Sequence, residues 1–309
     1  MPASPTVRLA DYQPPSFFIE TVDLKVDIGQ SRTLVEAQLW LKRNRDGPGE
    51  GLRLDGRELE LVHIELDGRE LVPGEYALDD EGITIARCPD NAALRICTRI
   101  DPDTNTSLEG LYKADSAYCT QCEAQGFRKI TYFPDRPDVM ARYSTTIIAD
   151  AATCPVLLSN GNPVARGELP EGRHWMTWED PFPKPSYLFA LVAGDLACAE
   201  DTFTTASGRE VTLRIYVERH NIDKCDHAMR SLKRAMRWDE EVYGLEYDLD
   251  MYMIVAVDDF NMGAMENKGL NVFNSKYVLA RPDTATDDDF AGIEAVIAHE
   301  YFHNWTGNR

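Results

Sequence analysis

Residues 21–28, with the sequence Thr-Val-Asp-Leu-Lys-Val-Asp-Ile, alternate polar and apolar side chains without a break. Successive side chains of a β-strand point to opposite faces of the sheet, so this alternation predicts a strand with one buried face. The same pattern returns in four later segments, at residues 35–41, 59–66, 83–85 and 94–96. This repetition predicts an all-β region in the first part of the chain.

Short turn sequences separate these predicted strands. Asp55-Gly56 and Asp67-Gly68 are dipeptides typical of tight turns, and a slip in the alternation at His63 predicts a β-bulge. Short strands with turns at regular intervals favour an antiparallel β sandwich or a saddle-shaped sheet. We place the end of this N-terminal β domain at residue 196, just past the turn Gly194-Asp195.

Residues 197–309 have a mixed character. Alternation at residues 211–217 and a continuous apolar run at residues 251–257 predict strands, whereas residues 221–243 have helical spacing. Four side chains of that helix are expected on one buried face: Met229, Leu232, Met236 and Tyr243. A run of aspartates at residues 287–289 precedes a second helical pattern, and we expect an aspartate to cap this helix.

The composition excludes several classes of protein. Hydrophobic residues make up 43% and charged residues 27% of the 309 positions, which is typical of a folded globular chain and not of a disordered one. With 32 basic and 52 acidic side chains, the formal net charge is −20. This charge argues against nucleic acid as a partner, because proteins that bind nucleic acid usually carry a basic patch.

Three observations bear on the location of the protein in the cell. No apolar run approaches the roughly 18 residues that cross a membrane, and residues 1–30 lack the pattern of a secretory signal. The seven cysteines are odd in number and scattered, as expected for reduced thiols. We therefore expect a cytoplasmic protein without a membrane partner.

The second helical pattern carries the motif His299-Glu300-Tyr301-Phe302-His303. Residues i and i+4 of a helix lie on the same face, so His299 and His303 can direct two imidazoles at one metal ion. Glu300 is then placed to accept a proton from a water molecule on that metal. The neighbouring Ile297 and Ala298 predict a buried helix, whereas the alternative is two unrelated histidines on a surface helix.

A second unusual segment lies upstream, at Asn261-Met262-Gly263-Ala264-Met265-Glu266-Asn267. One interpretation is a glycine-containing turn between two strands. The other is a turn that presents backbone groups and the Glu266 carboxylate to a cleft, where they suit a cationic ligand such as a peptide α-amino group. The residues by themselves leave both interpretations open.

Together the two motifs resemble the zinc aminopeptidase N family, and most closely its bacterial cytosolic branch. The similarity extends through residues 118–128, 271–280 and 304–309, and so covers essentially the whole chain. The resemblance implies a metallopeptidase that releases N-terminal amino acids from peptides with a free N-terminus. It also implies one zinc ion per full-length chain, a monomer, and a thermolysin-like catalytic domain of which residues 197–309 form the first part.

The resemblance also assigns roles to individual residues. It makes His299 and His303 zinc ligands, Glu300 the general base, and Glu266 an anchor for the free amino group of the substrate. Glu123 resembles a second carboxylate that reaches this amino group. The remaining substrate-binding residues that it implies are Gly263 and Ala264 for the peptide backbone, Gln121 and Met262 for the first side chain, and their neighbours Met265 and Asn267.

Two functional groups of the family have no counterpart in these 309 residues. The resemblance places the third zinc ligand, a glutamate, beyond Arg309, and places a tyrosine that stabilises the oxyanion further along. Zinc sites normally have three or four protein ligands. We therefore expect this chain to be a fragment that by itself binds metal weakly and lacks useful turnover.

Other interpretations stay open at this point. Cys119 and Cys122 have the spacing of a redox or zinc pair, although the sequence contains no second such pair. A non-catalytic scaffold or binding fragment is an alternative to an enzyme, and so is epoxide hydrolysis on the same scaffold. The intact His299, Glu300 and His303 argue against the scaffold, and the motif at residues 263–267 argues against the epoxide hydrolase.

Overall fold

The computed structural model describes residues 8–29, 32–49, 51–114 and 117–309. Outside the described residues lie residues 1–7, 30, 31, 50, 115 and 116. The segment 1–30, which is expected to lack a secretory signal, is therefore described only in part. The strands before residue 195 are, in chain order, β1 (Phe17–Ile28), β2 (Thr33–Arg43), β3 (Leu52–Asp55), β4 (Glu60–Leu66), β5 (Arg69–Glu70), β6 (Tyr76–Asp79), β7 (Gly82–Ile85), β8 (Asn91–Ile100), β9 (Gly110–Ala114), β10 (Ala117–Gln121), β11 (Met140–Asp150), β12 (Val156–Ser159), β13 (Asn162–Leu169), β14 (Arg173–Pro185) and β15 (Leu191–Gly194).

Within the described ranges, these strands form three sheets. Their strand orders are β13-β14-β11-β1-β2-β8-β4-β5, β12-β15-β10-β9 and β3-β7-β6. Neighbouring strands run antiparallel, as predicted, except that β1 and β11 are parallel. The alternation that predicted β1 is confirmed, because Val22, Leu24, Val26 and Ile28 are buried while Asp23 and Lys25 are exposed.

Two local predictions in the N-terminal region are confirmed. The register between β4 and β8 shifts between Leu61 and His63, where the alternation slips. Asp67 and Gly68 join β4 to β5 with φ angles of 52° and 76°, and two positive φ angles define a type I′ hairpin turn. Short-range sequence features therefore set the register at this edge of the largest sheet.

The rest of the chain builds a fourth sheet with two helices. Its elements are β16 (Ala197–Thr204), β17 (Glu210–Val217), α1 (Asp226–Tyr243), β18 (Met251–Val257), β19 (Ala264–Met265), β20 (Leu270–Asn274) and α2 (Asp287–Phe302). Short 3-10 helices lie at Leu9–Asp11, Phe127–Lys129, Ser186–Leu188, Arg219–Lys224 and Ser275–Tyr277. The strand order is β16-β17-β18-β20-β19. The pairing changes from one sheet to the next between Gly194 and Ala197, and the domain boundary at residue 196 stays a prediction.

Strand β18 lies at the centre of this fourth sheet and is buried on both faces. Its odd-numbered side chains, from Met251 to Val257, belong to the core shared with the N-terminal sheets. Its even-numbered side chains, from Tyr252 to Ala256, belong to the core that includes the helices. Burial on both faces explains the continuous apolar sequence of this strand.

Helix α1 differs from its prediction at its start and in the burial of its last residue. It begins at Asp226, after the 3-10 helix Arg219–Lys224, and ends at Tyr243 as predicted, with Gly244 in the left-handed conformation as its C-cap. The expectation that Tyr243 is buried is wrong, because its ring lies at the outer end of the helix pair against Trp238 and Phe302 and is 53% exposed.

Helix α2 is capped by Thr286, and the expectation of an aspartate cap is wrong. The Thr286 hydroxyl accepts a hydrogen bond from the backbone amide of Asp289, and the Asp289 carboxylate accepts one from the backbone amide of Thr286. This reciprocal arrangement is a capping box, which satisfies two amides that the first helical turn would leave unpaired. Of the helices within the described ranges, none combines the length and the hydropathy that crossing a bilayer requires.

Candidate metal and substrate site

The last turn of helix α2 brings the two predicted metal ligands together. The Nε2 atoms of His299 and His303 lie 3.1 Å apart. Two imidazole nitrogens bound to one tetrahedral zinc ion at about 2.0–2.1 Å would be separated by about 3.3 Å. The pair therefore fits two ligand positions of a zinc site.

The other ring nitrogen of His303 fixes the orientation of the imidazole. Nδ1 lies 2.9 Å from the carbonyl oxygen of Thr306, so Nδ1 carries a proton and donates it to that oxygen. In a neutral imidazole, Nε2 then keeps a lone pair that can bind a metal. Gly307 permits this tight turn, because its φ is 131° and a Cβ atom there would lie only 3.0 Å from His303 Nδ1.

Glu300 is buried between the two histidine positions, and its Oε2 atom has no hydrogen-bond partner within the described residues. Burial, followed by the negative charges of Glu266 and Glu123, raises the pKa of Glu300 to about 8. A nearby metal cation would act in the opposite direction. Lowered by such a cation, the pKa of Glu300 would come closer to neutrality, which is the range that suits a general base.

Helix α2 is buried on one side only. Ile293, Ile297, Glu300 and Tyr301 are its buried residues, whereas His299 is exposed. The expectation of a buried helix is therefore met on one face only, where Ile297 is buried, while Ala298 is half-buried. The face that carries His299 lines a groove of about 560 Å³ between α1 and α2.

The upstream motif forms a turn followed by the short edge strand β19. Ala264 lies opposite Phe273, and Met265 lies opposite Val272, in antiparallel pairing with β20. On its other side, β19 pairs with no strand of the described part of the chain. Met265 is fully buried, so its side chain anchors this short strand in the hydrophobic core. An unpaired strand edge can bind an extended peptide through backbone hydrogen bonds.

The two motifs meet at Glu266. One carboxylate oxygen each from Glu266 and Glu300 and one imidazole nitrogen of His303 all lie within 4.8 Å of one another. Gly263 and Glu266 are half-buried, and the Gly263 carbonyl accepts a hydrogen bond of 3.0 Å from the Asn274 amide. Asn267 is buried, and neither polar atom of its side chain has a partner within the described residues.

Strand β10 brings the N-terminal region to the same place. Gln121 is buried, and its Nε2 atom donates to the sulfur of Met262 at 3.1 Å. Partial burial and the charge of Glu266 raise the pKa of Glu123, while His303 lowers it. Glu123 therefore lies within electrostatic reach of both Glu266 and His303.

Sequence reasoning missed several residues around this site. Burial and the charges of Glu266 and Glu123 raise the pKa of Tyr187, which therefore lies near both carboxylates. Asn308 donates a hydrogen bond of 2.8 Å to the Glu266 carbonyl. The buried Lys268 ammonium donates to Asp248 and Asn304. These residue types form no recognisable motif in the sequence, and only proximity in the fold reveals them.

The cysteine pair does not support a redox or metal site. Cys119 and Cys122 are buried and free. Burial raises the pKa of Cys119 to about 12 and raises the pKa of Cys122 well above its usual range. Redox-active and metal-binding cysteines react as thiolates, which this environment disfavours.

Similarity to known proteins extends over nearly the whole chain. Residues 74–188 match the Peptidase M1 N-terminal domain, and residues 227–309 match the Peptidase family M1 domain. The chain is 59% identical to aminopeptidase N of Caulobacter vibrioides over 303 residues, which cover 98% of this chain and 35% of that protein. It is 58% identical to aminopeptidase N of Escherichia coli over 302 residues, which cover 97% of this chain and 34% of that protein.

A solved structure shows the same fold. The crystal structure of Legionella pneumophila aminopeptidase A in complex with aspartic acid matches with a TM-score of 0.95 and 39% identity, covering 98% of this chain and 36% of that one. The chain thus spans about a third of the length of the curated relatives named above. The two matched domains follow each other along the chain, and the second contains both the motif ending at Asn267 and the motif ending at His303. This chain belongs to the M1 peptidase family.

Proposed function

We propose that this chain supplies two zinc ligands, the general base and the amine anchor of a zinc-dependent aminopeptidase. One observation carries the proposal: the ligand atoms of Glu266, Glu300 and His303 lie within 4.8 Å of one another, beside the facing Nε2 atoms of His299 and His303. This arrangement puts a pair of zinc-binding nitrogens next to a carboxylate that can pair with an ammonium group. The names of the relatives support the same class of reaction.

The reaction would be hydrolysis of the first peptide bond. When bound by His299 and His303, zinc supplies Lewis acidity, which polarises a carbonyl group and makes water more acidic. Glu300 is placed to accept the proton of the attacking water and to pass it to the departing amine. The hydrogen bond from His303 to Thr306 keeps the imidazole in the orientation that this site requires.

Selectivity for the N-terminal residue would come from charge. The carboxylates of Glu266 and Glu123 pair with a protonated α-amino group, which an internal peptide bond lacks. The unpaired edge of β19 offers backbone groups of Ala264 to the peptide main chain, and Gly263 would contact that main chain just before the strand begins. Because the amine anchor sets the register of the peptide, only the first bond reaches Glu300.

The first side chain of the substrate would lie against Gln121 and Met262. These two side chains are in contact at 3.1 Å, although they come from different domains of the proposed division at residue 196. Methionine adapts its shape readily, so this pocket would accept side chains of different size. Met265 and Asn267 are buried and would hold the strand in place from inside.

The first experiment measures zinc stoichiometry and hydrolysis of alanine p-nitroanilide for this chain and for the natural full-length protein in parallel. We expect the full-length protein to bind zinc and hydrolyse the substrate. We expect this chain to bind zinc weakly and to show no turnover. Activity of this chain alone would contradict the requirement for a third ligand beyond Arg309. A full-length protein without zinc or turnover would support the non-catalytic scaffold instead.

We also propose that the protein is a cytoplasmic monomer with no nucleic-acid or membrane partner. All seven cysteines are free thiols, which supports a reducing compartment, and the net charge of −20 disfavours binding to nucleic acid. The monomeric state rests on the family resemblance alone. Light scattering of the full-length protein at several concentrations tests it, and a mass that rises to twice the chain mass would contradict it.

A further inference from the structure

Three consecutive backbone carbonyls of the amine-anchor segment are held by asparagine side chains. Asn308 Nδ2 donates to the Glu266 carbonyl, Asn271 Nδ2 donates to the Asn267 carbonyl, and Asn160 Nδ2 donates to the Lys268 carbonyl. Each of these hydrogen bonds measures 2.8 Å, and all three asparagines are buried. Buried hydrogen bonds of this kind define the backbone position closely.

The three asparagines come from three separate parts of the fold. Asn308 lies in the turn that follows helix α2, Asn271 lies on strand β20, and Asn160 lies between β12 and β13 of the N-terminal region. The segment at residues 266–268 is therefore held at once by the turn after helix α2, by the fourth sheet and by the N-terminal region.

Two of these amides are oriented by their other contacts. Asn160 Oδ1 accepts from the Ala190 amide at 2.8 Å, and Asn271 Oδ1 accepts from the Tyr252 hydroxyl at 2.6 Å. The oxygen of Asn308 is buried without a partner in the described part of the chain. Its hydrogen bond to Glu266 is thus the contact that orients the Asn308 side chain.

The link through Asn308 joins the two halves of the proposed site. Asn308 lies in the same turn as Thr306, whose carbonyl orients His303, and its own backbone amide donates to the His303 carbonyl at 3.0 Å. The turn that sets the imidazole thus also holds the backbone of Glu266. A shift of this turn would move the amine anchor and the metal ligand together.

We infer that Asn308 is a positioning residue that fixes the Glu266 carboxylate relative to His303 and so sets the preference for ligands with a free amino group. The inference rests on the proposed function. Productive geometry in such sites depends on placement within about 0.5 Å, which a loosened backbone cannot maintain. Loss of the Asn308 donor should therefore weaken recognition of the amine more than binding of the rest of the ligand.

The test uses the natural full-length protein with two variants. Asn308→Leu removes the donor without adding charge, and Asn308→Asp keeps the shape and, as a carboxylate, has no donor. The matched control is Asn105→Asp, because Asn105 also donates from a side-chain amide to backbone carbonyls, those of Glu109 and Leu111, at 2.8 and 2.9 Å in the N-terminal region. Should Asn308→Leu fail to fold, Asn308→Asp carries the test.

The measurement compares inhibition of alanine p-nitroanilide hydrolysis by L-leucine and by 4-methylpentanoate, which lacks only the amino group. Both Asn308 variants should lose about tenfold of the preference for L-leucine, as expected for removal of one buried hydrogen-bond donor, with zinc content unchanged. The control should keep the full preference. An unchanged preference, or equal loss of both ligands, would overturn the inference. If the unmodified protein hydrolyses the substrate without preferring the amino compound, the amine-anchor role falls and the inference with it. If it shows no hydrolysis at all, the proposed function fails first.

Discussion

Lys268 Nζ donates a hydrogen bond of 2.7 Å to Asn304 Oδ1, which joins the residue after the Glu266-Asn267 pair to the residue after His303. The same ammonium donates to the Asp248 carboxylate, and the Lys268 side chain is only 2% exposed. A buried charge of this kind is tolerated only with partners. The Lys268 ammonium therefore connects the two motifs inside the protein, through its hydrogen bond to Asn304, while Asp248 balances its charge.

Replacement of Lys268 by Met tests this connection. We expect this chain to lose about 3 kcal/mol of stability, because Asp248 is left in a largely buried place with Arg309 as its remaining cationic partner. Urea denaturation measures the change. The control is Lys42→Met, whose exposed ion pair with Glu20 should contribute less than about 1 kcal/mol. Equal effects of the two substitutions would contradict a special role for Lys268.

Replacement of His299 or His303 by Ala should abolish most zinc binding by the full-length protein. Loss of a residue that hydrogen-bonds to a metal ligand typically reduces metal affinity about 10- to 100-fold. Loss of the ligand itself should therefore reduce zinc affinity by more than about 100-fold. Competition with a chromogenic chelator measures the affinity. His220→Ala is the control, because His220 is exposed and lies outside the site. Retention of zinc by both variants would exclude this pair as ligands.

Replacement of Glu300 by Gln should remove the proton acceptor and leave zinc in place. We expect kcat to fall about 10³-fold, within the range for loss of a general base, with little change in KM. Glu294→Gln is the control, since Glu294 lies on the exposed side of the same helix in an ion pair with Arg234. A Glu300→Gln enzyme with more than a tenth of the normal rate would rule out this role.

Replacement of Glu266 by Ala should raise KM for aminoacyl substrates far more than it alters zinc content. An ammonium that loses a charged hydrogen-bond partner binds about 10- to 100-fold more weakly. Steady-state kinetics with alanine p-nitroanilide and metal analysis of the same samples check this. The control is Glu109→Ala, an exposed carboxylate of the N-terminal region. Unchanged kinetics in Glu266→Ala would rule out Glu266 as the residue that binds the substrate amino group.

Asp239 predicts a pH-dependent contribution to stability. It is buried, its carboxylate oxygens have no hydrogen-bond partner in the described part of the chain, and burial raises its pKa to about 6. The folded chain therefore holds this proton up to a higher pH than the unfolded chain, so stability falls as pH rises from about 4 to about 6.

Replacement of Asp239 by Asn should remove this loss. We expect a higher melting temperature than the unmodified chain at pH 7.5 and no difference near pH 4, because an amide stays uncharged at both values. Thermal unfolding of this chain followed by circular dichroism measures it. Asp80→Asn, at an exposed position, should change neither value. A lower melting temperature at pH 7.5 would show that the Asp239 charge stabilises the fold.

Much of the N-terminal fold could be predicted because its information is local. The alternation at residues 21–28, the slip at His63 and the turn at Asp67-Gly68 each involve only a few neighbouring residues, and each is confirmed. The parallel pairing of β1 with β11 could not be predicted in this way. A strand with one buried face has the same alternation whether its neighbour runs parallel or antiparallel.

Helix ends were less predictable than helix interiors. The sequence predicted an aspartate as the cap of α2. Asp289 does take part in the capping box, but from the third position of the helix, and Thr286 is the N-cap residue. Tyr243 continues the apolar spacing of α1 but lies beyond the part of the helix that the sheet covers. Spacing identifies a face of a helix, whereas burial depends on what packs against that face.

The sequence by itself determined the proposed pair of zinc ligands, because four residues of helix place His299 and His303 on one face regardless of the surrounding fold. Only the tertiary structure decided which carboxylates join them. Glu266 and Glu123 come from distant parts of the chain, and both lie near His303 only in the folded protein. The asparagines that hold the Glu266 segment are likewise a product of packing. Local spacing follows from backbone geometry, whereas convergence of distant segments depends on how whole sheets and helices bury their apolar faces against one another.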